Sequence, residues 1–314
     1  MIAKFVYTAL TMVFGGGTIS DVTEGMNTVL NALSEALSQN SVHAILNIFL
    51  GVAASLMTVF LFMDIVSNVQ KDMITLERLI LIFIKYFTAM VVLIYLEDIV
   101  IYLFKFGTGV YNVLSNASQS GGALNTTSTG ALKFFPSERK DGLDPTIWPK
   151  YSAIKDVFTG TWKNSSKVLM QNISIFFTLI IPYLVSWTAR LAIFFTIVSN
   201  AVMIIVRVIF APIGIVQLFD EGQRSAGIRY LKKFLAEALT FAVIVGVLFA
   251  SAKLQNSIVL SISGDTMRNG ILSGDNLKDV VDGTKLMIWL TAINLASAGA
   301  IMRSGQLAND IIGG

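Results

Sequence analysis

The sequence predicts an all-α, polytopic membrane protein with about five transmembrane spans, and three observations support this prediction. Of the 314 residues, 54% are hydrophobic and only 14% are charged, whereas soluble domains usually carry about 25% charged residues. Several uncharged runs approach the ~20 residues that a helix needs to cross a bilayer. A long apolar segment at residues 168–219 is followed by a connection with four cations, which the positive-inside rule assigns to the cytoplasm.

Residues 1–41 form an N-terminal region with two parts. Residues 1–20 contain one cation before a short apolar stretch, which fits either a cleaved signal peptide or an interfacial segment; we favour the interfacial segment. Residues 21–40 have helical spacing, and Asp21 and Glu24 match a capping box at the start. The apolar positions of this helix, which we expect to pack on protein, are Val22, Met26, Leu30, Leu33 and Leu37.

Residues 42–104 hold the first two predicted spans. The first span covers residues 42–66, and the second covers residues 79–104 after a short charged connection. The polar segment at residues 105–167 is predicted to be a large loop, which the charge count below places outside. A loop of this length in a compact protein usually carries function or contacts a partner. The aromatic residues expected to anchor this loop on a partner are Trp148 and Trp162.

Residues 168–314 form the predicted transmembrane core. Its first segment can be one very long helix kinked at Pro182, or two spans joined at Arg190. The residues around Arg190 are poor turn formers. Charge parity also favours one crossing, because the connection at residues 220–233 and the earlier one after the first span both carry cations that belong in the cytoplasm.

Two further predicted spans complete the topology. They cover residues 234–252 and 286–302, on either side of a polar loop at residues 253–285. Counting back from the cytoplasmic connection places the N-terminus outside and the C-terminus inside. Both long polar segments then lie outside, where the positive-inside rule tolerates lysine in long loops.

Three ionisable side chains fall inside the predicted spans. Arg190, Arg207 and Glu237 cannot face lipid without a free-energy cost, which for a central arginine is about 2.5 to 3.5 kcal/mol. We expect Arg207 to pair with Glu237 across the connection between their helices. Such a pair either staples two helices or lines a polar passage, and the staple is the simpler interpretation.

The residues of the common catalytic sites are missing from the sequence. It has one histidine, His43, and no cysteine, which excludes the usual zinc sites and the Ser-His and Cys-His nucleophiles. Residues 222–227 have GxxxxG spacing, but Ile228 and Arg229 follow where a phosphate-binding loop has Lys and Ser or Thr. The sequence therefore predicts a protein that is not an enzyme and that binds no cofactor or metal.

The cationic connection and its flanks carry a motif. From Arg207 through Ala211 and Pro212, and then from Phe219 to Ala236, the sequence resembles the TrbL-type conjugal transfer proteins. These are the polytopic inner-membrane subunits of type IV secretion systems, equivalent to the sixth VirB component. The specific resemblance is confined to these residues; elsewhere it concerns topology alone.

The resemblance implies a channel or assembly subunit in the bacterial cytoplasmic membrane, which passes a DNA–relaxase complex or an effector protein and supports pilus assembly. Its implied partners are a cytoplasmic ATPase, pilus components, lipid and further copies of itself in a ring. Two other classes stay open: a non-conducting membrane scaffold, and a secondary transporter, for which the sequence lacks a matching internal repeat. The residues expected to dock a partner are Asp220, Glu221, Arg224, Arg229, Lys232 and Lys233.

Overall fold

The computed structural model describes residues 16–70, 75–120, 166–216, 226–262 and 277–313, and nearly all of them are helical. This confirms the all-α prediction for those residues. We number the described helices in chain order: α1 Gly16–Ser38, α2 Asn40–Gln70, α3 Leu76–Ile94, α4 Leu96–Ser120, α5 Ser166–Val216, α6 Ala226–Ile262, α7 Leu277–Met302 and α8 Ser304–Ile312.

Helix α1 buries the apolar face that its sequence predicts. Val22 and Met26 are fully buried, and the exposed fractions of Leu30, Leu33 and Leu37 are all below a tenth. This face therefore packs on protein. The predicted capping box is wrong, because Asp21 lies inside the helix and its carboxylate has a different partner, described below.

Helices α2 and α3 pack against each other. Leu61 of α2 and Ile82 of α3 are buried together, and Ile65 and Tyr86 lie against them. Helix α3 begins after Thr75, whose hydroxyl accepts a hydrogen bond from the backbone N–H of the third residue of the helix. Such a cap satisfies one of the free N–H groups at the start of the helix.

The second predicted span is bent. Helix α3 ends at Ile94, and α4 leaves it at an angle of 61°. Tyr95 between them departs from helical geometry, with φ −91° and ψ 12°. Glu97 and Asp98 then stand in the first turn of α4, where acidic side chains stabilise the start of a helix. The structure thus differs from one straight span over residues 79–104, and α4 continues into the segment predicted as a loop.

Helix α5 is a single helix of 51 residues. This confirms the interpretation of one very long helix and excludes a hairpin at Arg190. Pro182 and Pro212 both lie inside α5, which ends at Val216. At 1.5 Å per residue its length is about 75 Å, more than twice the ~30 Å hydrocarbon thickness of a bilayer.

The last three helices extend beyond the predicted spans. Helix α6 begins at Ala226, inside the predicted cytoplasmic connection, and α7 begins at Leu277, inside the predicted polar loop. Arg303 interrupts the helix, and α8 follows it with Ser304 and Ala308 fully buried.

Three described helices are long and apolar enough to cross a membrane, so this is a membrane-embedded protein. They are Val42–Gln70, Ile180–Val216 and Ala226–Gln255, and the bent pair of α3 and α4 adds a fourth span if it crosses as one unit. The apolar part of α7, Met287–Met302, is shorter than a full span. The described helices therefore give three to four candidate spans where the sequence predicts five.

The contacts divide the chain into two compact units. The first unit comprises Met1–Gly25, Val113–Thr196 and Ile244–Arg303, and the second comprises Met26–Asn112, Ile197–Val243 and Ser304–Gly314. In the second unit the largest fully buried side chains include Tyr111 and Phe234. Tyr111 Oη donates a hydrogen bond to Asn27 Oδ1 at 2.6 Å, which satisfies the hydroxyl inside this core.

Gly107 of α4 sets the closest approach to α6 in the second unit. A Cβ added there would lie 2.7 Å from the backbone carbon and oxygen of Ala238, whereas one added at Gly109 would meet nothing within 4 Å.

We therefore expect Gly107→Ala to lower the free energy of unfolding by about 1–3 kcal/mol, because the backbone of α4 or α6 must move. Gly109→Ala should raise it by up to ~1 kcal/mol through helix propensity. Thermal unfolding in detergent measures both, and similar shifts in the two variants would contradict the assigned contact.

Candidate functional site at the contact between α5 and α6

A charged contact joins α5 to α6 within their apolar stretches. Arg207 Nε lies 2.6 Å from Glu237 Oε1, so the two side chains form an ion pair. The side chain of Arg207 is 25% exposed and that of Glu237 is 15% exposed. The structure thus confirms the pairing that the sequence predicts, and both residues belong to the second unit.

Two side chains bind backbone carbonyl groups beside the ion pair. Asn200 Nδ2 on α5 donates to the carbonyl oxygen of Glu237 on α6 at 3.1 Å. Tyr230 Oη on α6 donates to the carbonyl oxygen of Arg207 on α5. Between these two bonds the chain runs forward along α5, from Asn200 to Arg207, by about two turns. Over the same distance it runs backward along α6, from Glu237 to Tyr230. The two helices are therefore antiparallel here, and the two bonds fix their register.

Close packing supports this register. A Cβ added at Gly214 of α5 would lie 2.7 Å from ring carbons of Tyr230, so a larger side chain there would displace the ring that binds Arg207. Ile204 of α5 and Phe234 and Phe241 of α6 are fully buried. Burying each such side chain contributes roughly 1.5–3 kcal/mol when the alternative is water.

The contact compensates the charges of Arg207 and Glu237. Each of its polar side chains reaches across to the opposite helix, which favours the staple interpretation over a polar passage. Pairing also offsets part of the cost of placing Arg207 among apolar residues. Among the described residues, no group of three His, Cys, Asp or Glu side chains could hold a metal ion.

Two of the described residues that carry the resemblance to TrbL-type proteins belong to this contact. They are Arg207 and Tyr230, and Lys232 follows Tyr230 by two residues in α6. No protein-family model, curated protein or solved structure matches this chain. The function is therefore argued from the contacts that Arg207, Tyr230 and Lys232 make.

Three cations of the predicted docking motif lie on the first two turns of α6. Arg229, Lys232 and Lys233 are exposed. Lys232 Nζ donates to the carbonyl oxygen of Gly313 at 3.1 Å, which attaches the end of α8 to the start of α6. The other predicted docking residues lie outside the described residues, as do the loop anchors, and these are Asp220, Glu221, Arg224, Trp148 and Trp162.

Arg190 forms a separate ion pair inside the first unit. Its guanidinium contacts the carboxylate of Asp21 on α1, and its charge lies 5.9 Å from the centre of the Phe194 ring. The sequence predicts that Arg190 avoids lipid but does not identify Asp21 as its partner. The available signal was an acidic residue next to the buried apolar face of α1.

Two polar contacts between helices escape prediction from the sequence. In the first unit, Gln255 Nε2 donates to Asn294 Oδ1 at 2.6 Å, and Asn294 Nδ2 donates to Ser186 Oγ at 3.1 Å. These three side chains link α6, α7 and α5. In the second unit, His43 Nδ1 lies 2.8 Å from Glu97 Oε1, so the only histidine of the sequence contacts the start of α4.

Replacing one member of the Arg207–Glu237 pair should destabilise the protein more than replacing both members. We expect Glu237→Leu to lower the free energy of unfolding by about 2–4 kcal/mol, because it leaves Arg207 charged among apolar residues. Adding Arg207→Met should recover most of that loss. Unfolding of the two single variants and the double variant in detergent measures the coupling.

Asn200→Ala is the matched control for this cycle, because it removes one neutral hydrogen bond and should cost only about 1 kcal/mol. Strictly additive effects of the two charge substitutions would show that the ion pair carries no coupling.

Proposed function

We propose that this chain is a membrane channel or assembly subunit of a type IV secretion machine of the conjugative DNA-transfer class. One observation carries the proposal: two residues of the stretch that resembles the TrbL-type motif, Arg207 and Tyr230, help to hold α5 against α6. Arg207 is in the ion pair, and Tyr230 bonds to its carbonyl. A motif with this role serves assembly of the membrane domain, which is what a non-enzymatic secretion subunit requires.

The proposed topology has five crossings in the bacterial cytoplasmic membrane, with the N-terminus outside and the C-terminus inside. The contact between Lys232 and Gly313 supports it, because the start of α6 and the end of α8 then belong on the same side. The continuity of α5 supports it as well, since a single crossing keeps the motif cations in the cytoplasm. Helix α7 is the fifth crossing in this topology, and its short apolar part fits a thinned bilayer or close protein neighbours.

The proposed partners follow from this orientation. The cytoplasmic motif at residues 220–233 binds acidic groups of a secretion ATPase or of anionic lipid. The external segment at residues 105–167 contacts pilus components or substrate through Trp148 and Trp162. Other copies of the chain cover the apolar excess of α5 in a ring. The transferred DNA–protein complex or effector contacts the chain only transiently.

A non-conducting scaffold is the second candidate, and the α5–α6 contact favours it. Each polar side chain of that contact reaches across the helix pair, as expected of a contact that holds two helices together, although Glu237 Oε2 is buried without a hydrogen-bond partner in the described part of the chain. Crosslinking of transferred DNA to single positions of the chain separates the two candidates. Crosslinks within the spans support a channel, and their absence at every tested position supports a scaffold.

Single cysteines test the topology, because the sequence has no cysteine of its own. We expect an impermeant maleimide in intact cells to label a cysteine at Asn125 and to leave cysteines at Ser225 and Asp310 unlabelled. The reason is that the motif cations and the C-terminal helix share the cytoplasmic side. Permeabilised cells provide the control, in which all three positions should react. Labelling at Ser225 in intact cells would contradict the orientation.

Loss of the chain tests the secretion role. Donor cells without it should lose DNA transfer while their growth and the level of the partner ATPase stay unchanged, and a plasmid copy should restore transfer. Glu237→Leu should fail to restore it, because the staple is broken, whereas Gly109→Ala should restore it fully. Normal transfer without the chain would contradict the proposal.

A further inference from the structure

The first two turns of α6 carry cations that take no part in the Arg207–Glu237 ion pair. Arg229 and Lys233 are one helical turn apart, so they lie on the same face of the helix, and both are exposed. Among the described residues neither has a hydrogen-bond or ion-pair partner. Lys232 differs, because it is engaged with the carbonyl of Gly313.

These cations lie at the depth where a bilayer changes from hydrocarbon to headgroups. The apolar part of α6, Ala226–Gln255, has 30 residues, which is about 45 Å of helix. The hydrocarbon layer is only about 30 Å thick, so the ends of this stretch reach the headgroups. The cations occupy one of those ends, and the residues directly after them are apolar apart from Glu237, which is paired with Arg207.

Helix α8 supports the same depth independently. Gly313, directly after α8, contacts Lys232, so the last turn of α8 is level with the cations. Ile311 in that turn is 65% exposed, and Leu307 one turn earlier is 46% exposed. Exposed apolar side chains at the level of exposed cations are the pattern of a membrane interface, and a surface that projects into the cytoplasm would not need them.

We propose that Arg229 and Lys233 form a binding site for the phosphate of an anionic phospholipid at this end of α6. The guanidinium of Arg229 can donate two parallel hydrogen bonds to phosphate oxygens, and the ammonium of Lys233 adds a second charge. Lys232 fixes the end of α8 beside the site, where Leu307 and Ile311 contact the acyl chains. This inference does not depend on a secretion role, since it needs only the membrane position of α6.

Binding of labelled phosphatidylglycerol to the purified full-length chain in a neutral detergent tests the proposal. We expect Arg229→Gln with Lys233→Gln to weaken binding about 25-fold, because each cation near a membrane surface contributes roughly fivefold. Lys253→Gln is the control. It removes one positive charge, by the same type of substitution, from an exposed position toward the other end of α6, and it should leave binding unchanged. Exchanging the two cations, with Arg229→Lys and Lys233→Arg, should preserve most of the affinity.

Two competition experiments separate the phosphate of a lipid from other ligands, and a third measurement controls for folding. Phosphatidylcholine should compete poorly, because its headgroup has no net charge, and glycerol phosphate should compete only weakly, because it has no acyl chains. Unfolding temperatures of the variants in the absence of lipid should match the wild type, since exposed substitutions change stability little. Equal loss of binding in Lys253→Gln, or unchanged binding in the double variant, would overturn the proposal. Unchanged lipid binding together with loss of an acidic protein partner would assign the cations to that partner instead.

Discussion

The ion pair between Arg207 and Glu237 is the constraint on which the α5–α6 contact depends. Neither charge can face hydrocarbon without a cost of a few kcal/mol, so the two helices must meet where these residues are opposite each other. That requirement selects one register, and Asn200 and Tyr230 then find backbone carbonyl groups on the facing helix. Apolar packing alone tolerates many registers in a membrane, because lipid solvates leucine as well as another helix does. The polar groups therefore provide the specificity, and apolar side chains such as Phe234 fill the space around them.

The same rule governs the polar side chains elsewhere in the apolar helices. Arg190 reaches Asp21 on the amphipathic α1, and the linked amides of Gln255 and Asn294 join α6 to α7. His43 contacts Glu97 at the start of α4, directly after the bend at Tyr95. Each contact joins residues far apart in the sequence, so each excludes alternative packings of helices that have little sequence specificity of their own. An unpaired member of such a contact would leave a polar group buried without a partner, which costs more than the bond itself contributes.

The sequence was sufficient for features that depend on local spacing or on charge alone. The buried face of α1 follows from helical periodicity, the continuity of α5 from the absence of turn residues near Arg190, and the Arg207–Glu237 pair from the cost of isolated charge. The features that it could not predict depend on contacts between distant segments. The bend at Tyr95 occurs in an apolar run without glycine or proline, and nothing in the local sequence identifies Asp21 as a partner. In the candidate site, the contact of Lys232 with Gly313 could not be inferred, because carbonyl groups carry no sequence signal.

The three long apolar helices differ in how much of their apolar stretch is buried. Half of the most apolar stretch of α6 is buried, compared with 22% for α2 and 28% for α5. Helix α6 is therefore the most enclosed of the three, and α4, α5 and α8 all contact its first half through Gly107, Arg207 and Gly313. A helix packed on several sides can adopt few positions, so its cationic first turns are held in a defined place. A ligand or partner that binds there meets a preorganised surface, which lowers the entropy cost of binding. The described cations of the motif, Arg229, Lys232 and Lys233, thus stand on the most enclosed of the three helices.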